Sequence, residues 1–172
     1  MSLHEHCRMM VGYNAWANAR LYAACAKVPD ADYKSDQGAF FRSLHGALNH
    51  ILLTDRIWGA RFNGRTAPSW TLDTILFDDF GALRVAREVE DGKLVDFVAR
   101  LDEEQLAADF RWTRKADGMQ VAQPLWAALA HLFNHQTHHR GQAHDVLSRL
   151  GHEAPSLDLV IYQRESGIGF RA

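Results

Sequence analysis

Apolar residues return every three or four positions along four stretches of the chain, and each stretch ends at an identifiable breaker. From about Leu3 to Val28, Met10, Tyr13, Ala17, Leu21, Ala24 and Cys25 keep helical spacing, and Pro29 follows at once. A second helix is predicted from about Gly38 to Phe62. Leu44, Leu48, Ile51, Asp55, Trp58 and Phe62 share one side of it, and Asn63-Gly64 ends it. A turn-rich stretch from Thr66 to Asp73, with Pro68, leads to a third helix from about Asp78 to Leu101. There Leu83, Ala86, Glu90, Leu94, Phe97 and Leu101 hold the period, although Gly92 lowers the helical propensity.

Between residues 109 and 123 the period changes to two. Phe110 and Trp112 alternate with polar neighbours, Asp117-Gly118 is a tight-turn pair, and Met119 and Val121 alternate again, which predicts a small β-hairpin. The fourth helix opens at Pro124 and closes at Gly151. The tail from Pro155 to Ala172 carries Leu157, Leu159, Ile161 and Tyr162, enough apolar surface to lie against the helices. The expected fold is therefore all-α, with residues 1–172 forming one domain. It is a four-helix bundle of up-down-down-up type whose long crossover carries the hairpin.

Composition narrows the function. With 172 residues, 47% of them hydrophobic and 23% charged, the chain can bury a core of one-domain size. Lys+Arg 19 against Asp+Glu 21 leaves a net charge of -2, so no global basic field is available to hold nucleic acid. No apolar run approaches the ~18 residues of a membrane span, and the first residues lack a signal peptide's charged-then-apolar layout, so a cytoplasmic protein is expected. Cys7 and Cys25 lie 18 positions apart on one predicted helix, roughly 27 Å at 1.5 Å per residue, too far to bridge. They read as core side chains. Trp16, Trp58, Trp70, Trp112 and Trp126 read first as space-filling, with Trp112 and its hairpin the best placed to touch a substrate.

Histidine is the informative residue. The chain holds 10, and four of them fall between residues 131 and 139. Placing the fourth helix at 100° per residue with His135 at zero, the apolar stripe of Ala128, Leu129, Leu132, Ala143 and Leu147 centres near roughly 70°. His139 falls inside that stripe and His135 at its edge. His131 and His138 lie further round, and His144 faces away. His135 and His139, spaced i and i+4, can grip one ion from one helix face.

A third ligand must come from another helix, and the second offers two histidines. His45 shares the polar side with Arg42, Asn49 and Arg56 and reads as a surface residue or an interface hydrogen-bonder, whereas His50 sits at a margin a neighbouring helix can cover. Asn134, Gln142 and Asp55 are the polar residues available to hold the other ring nitrogens. Arg140 points away from the pair and is expected in a salt bridge.

Several segments resemble the DinB family of helical metal-binding proteins. They are Tyr13-Asn14-Ala15-Trp16-Ala17-Asn18, Leu44-His45-Gly46-Ala47-Leu48-Asn49-His50-Ile51 with Asp55 and Trp58, Asn134-His135-Gln136-Thr137-His138-His139-Arg140-Gly141-Gln142, and Leu157-Asp158-Leu159-Val160-Ile161-Tyr162. The resemblance implies a four-helix bundle, a homodimer, and a divalent ion, zinc or nickel, on His50, His135 and His139. Position 138, often aromatic in relatives, is histidine here and offers a fourth ligand or a proton carrier. Characterised relatives include enzymes that use low-molecular-weight thiols.

Two readings of function follow. In the first the chain is a metal-dependent enzyme that activates a thiol cosubstrate, or a water, for a small-molecule substrate. No Glu stands beside the histidine pair as a base for water, which favours the thiol. In the second it is a non-catalytic metal-binding stress-response or dimerisation module, its coordination closed by His138 or a carboxylate. No catalytic side chain is assigned in either.

Overall fold

The computed structural model describes residues 1–114 and 117–169. It is mostly helical, with one two-stranded antiparallel sheet, and each predicted element is present with shifted ends. Hairpin residues 115–116 and tail residues 170–172 lie outside the described residues.

Helix α1 (Leu3–Cys25) starts at a capping box. The Ser2 hydroxyl accepts from the Glu5 N–H, and the Glu5 carboxylate accepts from the Ser2 N–H. The short α2 (Asp30–Lys34) starts directly after Pro29, which the sequence pattern treated only as a stop. Helix α3 (Leu44–Phe62) begins six residues later than predicted. Gly38 and Arg42 both take positive φ, so the Phe40-Phe41 segment is a tight loop, and Ser43 caps the helix by accepting from Gly46 N–H at 3.1 Å. A Cβ on Gly46 would collide with the Phe41 carbonyl oxygen, so this position needs glycine to let the loop fold back.

Helix α4 (Phe80–Ala99) is capped by Asp79 and runs unbroken through Gly92. A second missed element, α5 (Glu103–Ala107), has its own capping box from Asp102 and Gln105. Strands β1 (Asp109–Thr113) and β2 (Gln120–Pro124) pair with Trp112 opposite Val121, and α6 (Leu125–Arg149) follows without a gap. The tail forms α7 (Leu159–Ser166). Tyr162 packs its ring near Tyr13 and Trp16, and Tyr13 Oη donates to the Leu157 carbonyl at 2.8 Å.

Among the long helices, α1 and α3 each pack against both α4 and α6. Their shared interior has three layers. One apolar cluster holds Leu21, Leu48, Ile51, Leu83 and Val146, and another holds Cys7, Trp58, Leu94, Leu129 and Leu132. In chain order, every long helix places polar residues between its contributions to the two clusters. They are Asn14 and Asn18 on α1, Asp55 on α3, Arg87 and Asp91 on α4, and Gln136 and Arg140 on α6, all buried.

These side chains pair with one another. Arg87 pairs with Asp55 at 2.6 Å and Asp91 at 3.0 Å, and Asn18 donates to Asp91 at 2.9 Å. Gln136 donates to Asp55, and Arg140 donates to Asn14, Gln136 and Thr137. Arg140 is therefore not in a salt bridge, as its helical position led one to expect. It is 1% exposed and held by amides and a hydroxyl, with the Tyr13 ring 5.2 Å from its guanidinium.

Cys7 and Cys25 are buried free thiols, and burial pushes them up to about 11 and about 12. No helix among the described residues is long and apolar enough to cross a membrane.

Candidate metal centre

The polar layer fixes the rotation of α6 about its axis. Gln136 and Arg140 each follow a site histidine by one residue, about 100° round the helix, so anchoring them inward turns His135 and His139 towards α3. On α3, His50 faces them. The three rings lie with centroids 4.2 to 5.2 Å apart, and one ligand nitrogen from each falls within 4.8 Å of the others. His50 Nε2 and His135 Nε2 are 3.3 Å apart. Two nitrogens bound at about 2.0–2.1 Å in a tetrahedral zinc site would be separated by about 3.3 Å, so the spacing fits one shared ion.

The outer nitrogens are arranged for that role. His50 Nδ1 lies 2.8 Å from the Leu72 carbonyl oxygen and must donate to it, and His139 Nδ1 lies 2.7 Å from Gln142 Oε1. Both contacts place the proton on Nδ1 and leave the Nε2 lone pair free, the tautomer a metal ligand needs. His135 Nδ1 is buried without a partner.

Protonation is opposed as well. Burial, then the neighbouring imidazoles, push His135 down to about 3, burial pushes His50 down to about 4, and burial also lowers His139. The three rings stay neutral at physiological pH and can coordinate.

Of the three outer partners expected, only Gln142 serves. Asn134 is exposed, and Asp55 is committed to the buried layer through Gln136 and Arg87. The partner of His50 is a backbone carbonyl from the crossover, which no side-chain pattern announces. That crossover is itself clamped by Asn49, whose Oδ1 accepts from the Leu76 and Phe77 N–H groups at 2.9 and 3.0 Å. Asn49 is thus buried, and so is His45, against expectation. Helix α2 covers His45 with the Tyr33 ring, 5.3 Å between centroids, where a surface position or an interface hydrogen bond was predicted. Helix α3 thus packs against α2, α4 and α6, and Asn49 ties it to the crossover.

His138 is exposed and stands outside the converging group, with its Nε2 3.3 Å from Gln142 Nε2. Phe41, unmarked by any pattern, stacks on His50 at 3.8 Å and 20°. Replacing Gln142 with Leu should weaken metal binding about 10- to 100-fold by releasing the His139 ring, measured by competition with a chromogenic chelator. Unchanged affinity would show that the 2.7 Å contact does not orient the ring.

The three histidines stand on the wall of an open cleft of about 1230 Å³, bounded by α3, α6, the β1 strand and the crossover. Trp112, the tryptophan expected to be best placed to touch a substrate, lines it together with Trp58 and His131. No Asp or Glu among the described residues does.

The model of the DinB family matches residues 1–168. The chain belongs to the DinB family. A curated relative, Protein DinB of Bacillus subtilis (strain 168), is 26% identical over 159 residues, covering 87% of this chain and 89% of the relative. Within this DinB family member, the histidines that converge are the three that the family resemblance marked.

Proposed function

We propose that this chain is a metal-dependent enzyme that activates a low-molecular-weight thiol for transfer to a small electrophile at His50, His135 and His139. The observation that carries the proposal is the convergence of three neutral imidazoles on a cleft open to solvent. Three protein ligands leave a coordination position free, which marks reactive rather than structural zinc-type sites. Bound there, a divalent ion such as zinc or nickel would lower the pKa of a thiol or a water.

The chain's own groups do the rest. Leu72 and Gln142 hold two imidazoles in the ligating tautomer, and the Phe41 ring covers one face of His50 against water. A thiol is favoured over water because no carboxylate lines the cleft to take up a water's proton. The same absence weighs against a non-catalytic module closed by a carboxylate, and the exposure of His138 outside the converging group weighs against closure by that ring.

The proposal extends to architecture: one domain, folded as an up-down-down-up four-helix bundle. In support, α1 and α6 each run from the Trp58 cluster through the polar layer to the Leu48 cluster, while α3 and α4 run the opposite way. The proposal also includes a homodimer, which the family resemblance implies, and a cytoplasmic location, which rests on the sequence layout of the first residues and the lack of a span-length apolar run.

The test is conjugation of glutathione or cysteine to a chromogenic electrophile by the zinc- or nickel-loaded protein. Turnover should exceed that of free metal, vanish with chelator and be absent in His135→Ala. A rate equal to free metal with every thiol would overturn the proposal.

A further inference from the structure

The cleft has a second chemical feature, on the same face of α3 as His50. Arg61 lies eleven residues on, which returns it to within roughly 20° of His50 around the helix and about 16 Å further along it. Its guanidinium carbon is 4.8 Å from the Trp58 ring centroid and 4.4 Å from that of Trp112, so it is held between α3 and the hairpin. Cation–π stacking of this kind occupies the faces of the guanidinium and leaves its in-plane N–H donors at the edge.

Those donors have no carboxylate among the described residues. Two other arginines of the cleft do: Arg111 pairs with Asp109 at 3.1 Å, and Arg114 pairs with Asp117. Arg61 is half-buried, and its burial disfavours the charged form, which an incoming anion would relieve. The indole N–H of Trp112, against which it stacks, is also buried without a partner. From Arg61 the wall of the cleft continues through Trp58 to His131, 5.1 Å between centroids, and from His131 to His135, 6.2 Å.

We propose that Arg61, seated on Trp58 and Trp112, is the anion subsite of the histidine cleft, so that the molecule reacting at the histidines carries a carboxylate at one end. The planar guanidinium edge matches the two oxygens of a carboxylate. The indoles and Ile57 between the two points provide an apolar wall, so the ligand is elongated rather than a small acid such as acetate. The inference rests on the proposed function for what reacts at the histidines, but the subsite itself needs no metal.

Calorimetric titration of the full chain tests it, using 4-phenylbutyrate against its neutral amide, and glutathione as a thiol that carries carboxylates. Wild-type protein should prefer the carboxylate over the amide. Arg61→Gln should weaken carboxylate binding about 10- to 100-fold, as expected for loss of a charged hydrogen-bonding partner, and leave the amide unchanged. Arg111→Gln, already neutralised by Asp109, should change either by less than about two-fold. Circular dichroism of each variant controls for folding.

Arg61 dependence with glutathione alone assigns the anion to the thiol. Dependence with phenylbutyrate alone assigns it to the electrophile. The same titrations in His135→Ala separate this inference from the metal reading. A carboxylate preference that survives there belongs to Arg61, whereas one that disappears with the triad belongs to the metal and overturns the subsite. Equal binding of acid and amide by wild-type protein, together with glutathione binding that Arg61→Gln leaves unchanged, also overturns it.

Discussion

Arg87→Met is expected to destabilise the protein by about 3–5 kcal/mol, the cost of leaving buried charges without their partner. At this chain length that corresponds to a fall of roughly 10 °C in Tm. Arg87 is 2% exposed and joins Asp55 to Asp91 in the middle layer of the core. Burial pushes the Asp55 carboxyl up to about 6, and Arg87 opposes that push. Without the guanidinium two acidic groups would face each other in an apolar interior, where an unpaired charge is poorly solvated.

The triple variant Arg87→Met, Asp55→Asn, Asp91→Asn should recover much of the loss, because it removes the charges together. Calorimetric unfolding of the three proteins checks this. A fall of under about 2 °C in Arg87→Met would mean that water reaches the layer and that the helices are not held in register by it.

Metal content should respond even more sharply. Purified protein loaded with zinc or nickel should hold about one ion per chain, and each of His50→Ala, His135→Ala and His139→Ala should lose nearly all of it after dialysis. His131→Ala and His138→Ala should retain it, since neither ring belongs to the converging group. Elemental mass spectrometry reads all six proteins.

Acid should release the ion, and the sign follows from the depressed imidazoles. Protons compete only below the ordinary histidine value near 6.5, and burial delays that competition for His50 to about 4 and for His135 to about 3. Retention should therefore be full above pH 6.5 and fail only as pH falls towards those values. Metal retained by His135→Ala, or no uptake by the wild type, would sink the triad.

Apolar periodicity was enough to locate four long helices, the hairpin and the tail, because a stripe repeating every three to four residues is a local property. It was also enough to put His135 and His139 on one face, since their spacing is set within a single helix. Helix ends were less legible. The Phe40-Phe41 pair carries the apolar pattern into a loop, and only the positive φ at Gly38 and Arg42 reveals that α3 begins at Leu44.

Charged positions misled for a related reason. Asp55 lies on the apolar side of its helix, and Arg140 was read as an outward salt-bridge former. Both are buried because four helices bring complementary charges and amides into one layer. His45 and Asn49 lie on the polar side of their helix, yet α2 and the crossover close over them.

The sequence by itself determined the helices, the i, i+4 histidine pair and, through family resemblance, the identity of the third histidine. The sequence also named Gln142 among the outer partners, but only the tertiary structure decided that the Leu72 carbonyl holds the His50 ring, that Phe41 stacks on His50, and that Arg61 stands between two indoles above the same cleft. The contacts of His50 with Leu72 and Phe41, and of Arg61 with Trp112, join segments that one helix's periodicity does not relate, and packing alone brings them within a few ångströms.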